Sequence, residues 1–353
     1  MCKQTGSELL RTLCLAFGPS GNEDPVARLI LENIEGSYDE LIPNRTLGVI
    51  AVIRGGAGHK RIMFSSHMDE VGFMIKAINE DGTLKVASMC GPDTRIMAGR
   101  RVTVGRDDRL VRGVFAVKPI HLLKRDDMDS ALPMDELYLD IGADSREEAE
   151  KLVQVGDYAT FESDFVQFGE DGRMIKSKAI DDRAGCAALI EIMRDLHENP
   201  CRMPFDVCFA FTCCEEVGIS GANVAAFGIK PDTAIIVEAT AVNDLPGAGR
   251  NAVSKQGEGG TLTLADRGTI YDMGFIDFAR RTAEQKELKC QIKQAMTGGT
   301  DAAHIQRSMT GVRVLGLSLP TRYIHSASNV ARYEDFEQTR DLVVAMLREW
   351  TLD

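Results

Sequence analysis

At 353 residues, 44% of them apolar and 27% charged, the chain has an ordinary globular composition and a length that favours two domains over one. Its formal charge of −12 and pI near 5.1 speak against a nucleic-acid partner, because phosphate binding calls for clustered Lys and Arg. The opening MCKQTGSELLRTL has no apolar signal core, and no apolar run nears the roughly 20 residues of a membrane helix, so a cytoplasmic protein without a membrane partner is expected.

In chain order, SELLRTLCLAF reads as a helix capped by Ser7, with Leu9, Leu10, Leu13 and Phe17 at helical spacing. GPSGNEDPVARLILENI gives a turn and a second amphipathic helix. GVIAVIRG and RIMFSSHMDE then read as a hairpin joined by the Gly-rich GGAGHK. From about Gly72 to Ser163 the pattern changes to short β runs, FMIKAIN, RVTVG, VRGVFAV, LYLDIG and YATFES, with one helix, SREEAEKLV, opened by a capping box of Ser145 and Glu148. After Gly172 helices and strands alternate again: RAGCAALIEIMRDLHE, FDVCFAFTC, SGANVAAF, TAIIVEAT, YDMGFIDFARRTAEQ and GVRVLGLSL. The expected organisation is an α/β domain over 1–70 and 165–353, interrupted by a small β domain over 71–164. The nine cysteines are scattered, lack a CxxC pair and sit mostly in apolar runs; buried reduced thiols fit them better than a disulfide framework or a cysteine metal site.

The expected strand ends carry an unusual set of side chains: His67 and Asp69, Asp181 and Asp182, Glu215 and Glu216, Glu238, and His325. Open α/β sheets bind ligands outside the carboxyl ends of their strands. Each residue alone has a plainer reading. HxD can be a surface histidine beside a solvated acid, Asp-Asp can favour a helix N-terminus through the dipole, Glu-Glu can be a solvated loop, and His325 can be a structural histidine. Together they would repel one another severely without a cation. Mixed imidazole and carboxylate ligation suits zinc, cobalt or manganese, and a bridged pair of divalent ions offsets several carboxylates better than one tetrahedral ion.

The order SSHMDEVGFM, SKAIDDRAGCAAL, CCEEVGISGA, IIVEAT, GGTDAAHI and LPTRYIHSAS resembles the tetrahedral aminopeptidases, metallopeptidase family forty-two, and the likeness extends through RGVFAVKPIHLL and LYLDIGADSREEAEKLVQVGDYATF of the interrupting segment. Members are variously labelled glutamyl, leucyl or deblocking aminopeptidases, and some endoglucanases, a name no glycosidase feature here supports. The resemblance implies a mixed-sheet, zinc-exopeptidase-like catalytic domain sandwiched by helices, with an inserted β-barrel-like dimerisation domain. It implies two divalent ions, zinc or cobalt, with Asp181 bridging them, His67 and Glu238 completing one site, and Glu216 and His325 the other. Glu238 stands where many members have Asp, which bears on ion spacing and metal preference. Glu215 would be the general base. Asp69 would orient His67, and Asp182 would hold the loop, a non-proline cis peptide being one way to do so. Gly298, Gly299 and Asp301 in GGTDAAHI resemble the wall of the first substrate pocket, although Asp301 alone could be a helix cap. Cys213 and Cys214, just before the base, read as packing.

The implied reaction is hydrolysis of the N-terminal peptide bond. A water shared by the ions attacks a polarised carbonyl, and Glu215 takes its proton and delivers it to the leaving amine. The implied assembly is a homo-oligomer, dimers built through the inserted domain and six dimers forming a hollow dodecamer, with a plain dimer as the simpler outcome. Rival readings are a dinuclear deacylase or carboxypeptidase with the same ligand set, a glycosidase using two carboxylates without metal, and a non-catalytic assembly protein that retains the fold.

Overall fold

The computed structural model describes residues 4–45, 48–56, 60–122, 132–201, 203–218, 221–248 and 253–350. The chain opens with α1 (Gly6–Leu15) and α2 (Asp24–Ile34), then β1 (Glu40–Leu41), β2 (Val49–Ile53) and β3 (Arg61–His67). Six strands follow: β4 (Gly72–Ile78), β5 (Leu84–Met89), β6 (Arg101–Arg106), β7 (Arg109–Ala116), β8 (Tyr138–Asp140) and β9 (Tyr158–Phe161), with α3 (Arg146–Leu152) before the last. The remainder comprises β10 (Val166–Phe168), β11 (Met174–Ser177), α4 (Ile180–Glu198), β12 (Asp206–Thr212), α5 (Gly221–Ile229), β13 (Thr233–Ala241), β14 (Gly260–Thr263), α6 (Met273–Gln285), β15 (Cys290–Ile292), α7 (Ala302–Gln306), β16 (Arg313–Arg322), β17 (Asn329–Arg332) and α8 (Tyr333–Glu349).

Eleven strands form one mixed sheet in the order β1-β2-β12-β3-β13-β16-β17-β11-β10, with β14 and β15 branching from β16. Its centre, β12, β3, β13 and β16, is parallel throughout. Strands buried on both faces need continuous apolar runs, and β12 (DVCFAFT) is buried along its whole length. Two groups of helices sandwich the sheet: α4, with α1, α2 and α8 against it, and α5 with α7. Contact between α4 and the sheet is close at Gly185, where an added Cβ would run into the Ser66 hydroxyl and the Val237 carbonyl.

The segment between β3 and β10 closes on itself as a barrel, β4-β5-β8-β7-β6-β9. Closure leaves no free edge among these strands. Its interior is a separate hydrophobic cluster around Phe73, Phe115 and Phe161. Phe73 meets Phe115 and Phe161 edge-on, at centroid distances of 4.9 and 5.7 Å, contacts worth about 0.5–1.5 kcal/mol each beyond their burial.

Several local expectations change. Ser7 lies inside α1, whose cap position is Thr5; the Thr5 side chain does not cap it, and the Glu191 carboxylate accepts from the Gly6 N–H at 2.6 Å. The segments β2 and β3 are not a hairpin: β12 separates them, antiparallel to β2 and parallel to β3. A seven-residue strand with both faces apolar takes the central slot, and adjacency in sequence gives way to it. Part of the GGAGHK turn, 57–59, lies outside the described residues. The capping box at α3 is half formed: the Ser145 hydroxyl accepts from the Glu148 N–H at 3.3 Å, while the Glu148 carboxylate accepts from the Asp144 N–H at 3.0 Å. Strands β1, β5, β10, β11, β14, β15 and β17, the short helix α7 and the seventeen-residue helix α8 are additional to the expected elements.

Candidate metal centre and active site

The parallel centre of the sheet aims the carboxyl ends of β3, β12, β13 and β16 at one edge, and the candidate residues collect there. His67 is the last residue of β3, Glu238 lies near the end of β13 opposite Ser318 of β16, Glu215 and Glu216 follow β12, His325 follows β16, and Asp181 and Asp182 open α4. Among the described residues around this edge, Cys90, Ala179, Cys214, Tyr323 and His325 have left-handed backbone, with φ of 66°, 52°, 58°, 58° and 59°. Such conformations cost about 1–3 kcal/mol each and cluster where surrounding structure enforces them.

Asp181 sits between the two imidazoles. Its Oδ1 lies 3.3 Å from His67 Nε2 and its Oδ2 lies 3.6 Å from His325 Nε2. His325 Nε2 is also 3.3 Å from Glu216 Oε2. The other oxygen of Glu216 is buried without a hydrogen-bond partner among the described residues. Donor atoms of His67, Asp181 and Glu216 lie within 4.8 Å of one another, as do those of Cys90, Glu216 and His325.

Behind these groups lies a layer of fixed hydrogen bonds. Fully buried Asp69 accepts from the Ser20 hydroxyl at 2.6 Å and from the backbone N–H groups of Glu215 and Glu216, both at 3.1 Å. His67 Nδ1 faces the Asp69 carbonyl at 3.1 Å and its carboxylate at 3.5 Å. Asp69 thus faces His67 on one side and holds the backbone of the Glu215–Glu216 loop on the other. Asp182, joined to Asp181 by a cis peptide, accepts from the Ser66 hydroxyl at 2.5 Å and the Gly185 N–H at 3.0 Å. The Asn329 side chain accepts from the Asp181 N–H at 3.5 Å and donates to the Tyr323 and Ser326 carbonyls, bracing the loop that carries His325.

The electrostatics show an excess of negative charge. Burial, then Asp301 and Glu216, push the Glu215 carboxyl well above its ordinary range. Burial and Asp181 raise Glu216 to about 7. Burial, followed by Glu215 and Asp182, raises Glu238, and burial raises Asp182. Burial opposes a charge on His67, but the bonds to Asp181 and Asp69 overcome it and hold its proton well above the usual value. His325 is raised to about 9 against burial by the same Asp181 and by Glu216. Asp181 is lowered, burial being outweighed by both imidazoles.

The residues after α6 form the remaining side. Asp301 occupies the cap position of α7 without capping it; its Oδ2 instead accepts from the Thr212 hydroxyl at 2.5 Å. Gly298 and Gly299 are exposed, with nothing within 4 Å of an added Cβ, so close approach of protein backbone is not what they serve; Gly298 needs its φ of 75°. Cys213 is buried, the Cys214 N–H donates to Glu23 at 3.0 Å, and donor atoms of Glu23, Cys213 and Cys214 lie within 4.8 Å of one another. Ser20, Ser66, Asn329 and Cys90 join the site without having been expected there. Serine and asparagine are too common in loops to stand out, and Cys90 closes a strand that sequence patterning does not reveal.

The sequence profile of the M42 glutamyl aminopeptidase family matches residues 48–342. The chain belongs to this family. The lysyl aminopeptidase of Pyrococcus furiosus is 31% identical over 97% of this chain and 96% of its own length. The structure of a TET aminopeptidase from the marine sediment archaeon Thaumarchaeota archaeon SCGC AB-539-E09 superimposes with a TM-score of 0.94 at 34% identity, covering 98% of this chain and 96% of that one. The TET1 peptidase of Pyrococcus horikoshii, which can assemble into a tetrahedron or a large octahedral shell, gives a TM-score of 0.86 at 32% identity over 97% of this chain and 99% of that one. This M42 member is a peptide hydrolase, and membership implies a divalent metal.

Proposed function

We propose that the chain is a dinuclear metal-dependent aminopeptidase whose ions are held by His67, Asp181, Glu216, Glu238 and His325. The observation that carries this is Asp181, whose two oxygens each face a different imidazole, the disposition expected of a carboxylate shared by two cations. The donor set fits divalent ions in a second respect: a buried glutamate oxygen lacks a hydrogen-bond partner among the described residues, and three other carboxyls have their proton affinity raised by burial beside like charges. Zinc or cobalt suits this mixture of imidazole and carboxylate. Ions bound there would supply Lewis-acid polarisation of the scissile carbonyl and a water acidic enough to lose a proton near neutral pH.

The chain's own groups do the rest. Glu215 accepts the proton of the attacking water and returns it to the leaving amine. Asp69 fixes the backbone from which Glu215 projects, so a base on a loop keeps its aim. Asp182 anchors the start of α4 and with it Asp181. Gly298, Gly299 and Asp301 would wall the substrate pocket, the two glycines facing open space. The substrates would be peptides with a free N-terminus.

The barrel would pair two copies, building a homo-oligomer up to a dodecamer. Leu110, Val117, Leu122 and Val155, on and around its strands, are exposed apolar side chains suited to burial against another copy. Free cysteines suit a reducing cytoplasm, and no described helix is long and apolar enough to cross a membrane.

A panel of aminoacyl anilides against metal-free and cobalt- or zinc-loaded protein, with light scattering on each sample, tests the reading. Turnover should vanish on chelation and return with metal. Undiminished hydrolysis by the metal-free protein would overturn the metal assignment, and a monomer at micromolar concentration would overturn the assembly.

A further inference from the structure

Cys90 belongs to the barrel, where it follows the last residue of β5, yet its thiol reaches into the edge of the catalytic sheet. Its Sγ lies 3.1 Å from Glu216 Oε2, the oxygen that is itself 3.3 Å from His325 Nε2. Sulfur, oxygen and nitrogen donors of these three residues all lie within 4.8 Å of one another. In a tetrahedral zinc site with bonds of about 2.0–2.3 Å, neighbouring donors stand about 3.3–3.5 Å apart. The 3.3 Å separation of nitrogen and oxygen is that of donors around one ion, while the 3.1 Å separation of sulfur and oxygen is that of a thiol donating to the carboxylate, a little short of the ion-bridged spacing. A second observation points the same way: Glu216 is 9% exposed, and while its Oε2 meets Cys90 and His325, its Oε1 has no hydrogen-bond partner among the described residues. A carboxylate kept that far from water without a full set of donors calls for a cation beside it.

We propose that Cys90 is a thiolate ligand to the ion held by Glu216 and His325, giving one half of the centre a sulfur, nitrogen and oxygen donor set. The inference rests on the metal-binding reading above and adds a ligand from a different part of the fold. On coordination the S–H bond is replaced by a metal–sulfur bond and the proton leaves to solvent, since a coordinated thiol is deprotonated outright. No oxidant or reductant is involved. The consequence is chemical selectivity: thiolate favours zinc and cobalt over magnesium, calcium and manganese, which prefer oxygen. The other half of the centre, with His67 and Glu238, would lack sulfur and discriminate less.

Cobalt supplies a readout independent of turnover, because a cobalt–thiolate bond gives an intense near-ultraviolet charge-transfer band that imidazole and carboxylate ligands do not. The full-length protein and Cys90→Ser are stripped of metal, reloaded with cobalt, and compared by bound-metal analysis and absorption. The unmutated protein should bind cobalt and show the band; Cys90→Ser should bind cobalt without it and lose at least about tenfold in zinc affinity, the lower end of what loss of even an outer partner costs. Bound cobalt without the band in the unmutated protein overturns the thiolate ligand and leaves the rest of the centre standing. A band that persists in Cys90→Ser and disappears in Cys214→Ser assigns the sulfur elsewhere and overturns it too. Failure of both proteins to bind cobalt overturns the metal centre itself, and this inference with it. A measurement on the unmutated protein covers the case in which the variant does not fold: iodoacetamide should label Cys90 in metal-free protein and be blocked by zinc, and equal labelling in both states overturns the proposal.

Discussion

Of the two imidazoles that face Asp181, that of His67 is 4% exposed at the end of a central strand, whereas that of His325 is 33% exposed on a loop. His67 is held by Asp69, itself locked by Ser20 and two backbone N–H groups. His325 owes its position to a left-handed backbone and to Asn329 bracing the loop from behind. The same carboxylate thus joins a preorganised half and an adjustable half. Orientation that is fixed before binding need not be achieved during it, so the His67 half should retain its ion more tenaciously, and the His325 half should be where ions exchange.

The largest effect is expected from removing what the halves share. Asp181→Ala should release both ions and drop turnover by at least about 10⁴-fold, the upper end of what a lost general base costs. Bound-metal analysis decides it: a variant that still holds two ions tightly would mean the halves are joined elsewhere. A smaller loss is expected from Glu215→Gln, at the residue proposed as base and not as a ligand. Its amide keeps the shape but cannot take a proton, so turnover should fall by about 10²–10⁴-fold with metal content unchanged. Near-normal turnover would end the assignment of Glu215 as base.

The smallest effect concerns the adjustable half alone and is read from stability. Without metal, burial opposes a proton on His325 but Asp181 and Glu216 hold it up to about pH 9, against an ordinary value of 6.5. Burial and Asp181 raise Glu216 from 4.5 to about 7. Both groups bind protons more tightly in the folded state. The stability they contribute is therefore complete below about pH 4.5 for Glu216 and 6.5 for His325, and is lost as pH climbs through about 7 and about 9. Calorimetry on chelated protein should show Tm falling between those limits. Zinc-loaded protein should show no such fall, because metal affinity rises as competing protons leave. A chelated Tm that rises over the same window would contradict the electrostatics of this half.

The contrast between the halves also marks what the sequence made legible. His67, Asp181, Glu216, Glu238 and His325 stood out because each ends or opens an apolar element, and the edge of a parallel sheet collects such positions from distant parts of the chain. The barrel showed through its short alternating runs, although β5 (LKVASM) did not, its alternation breaking at the adjacent apolar pair Val86 and Ala87. The order of strands was harder to read. Nothing in GVIAVIRG or RIMFSSHMDE says that a third strand will part them, because the choice is made by the apolar faces of β12 far along the chain. Ser20 reaches Asp69 only because residues 19 and 70 form an isolated bridge, and Cys90 reaches Glu216 only because the barrel leans on the sheet. Contacts of that kind have no local pattern to betray them.

The position of β12 carries a consequence for how the chain is made. The hydroxyl of Thr212 at its end bonds the carbonyl of Ser66, 146 residues earlier, and β2 and β3 have no neighbour in common until it arrives. As the chain leaves the ribosome, the barrel strands emerge in the interval and can bury Phe73, Phe115 and Phe161 among themselves. The first two long strands of the catalytic sheet must meanwhile wait with their edges open. Long-range pairing of this sort folds slowly and exposes edges to other chains. The barrel, completed first, would serve as a folded spacer that holds β3 at its base while the strand that fills the gap beside it is still being synthesised.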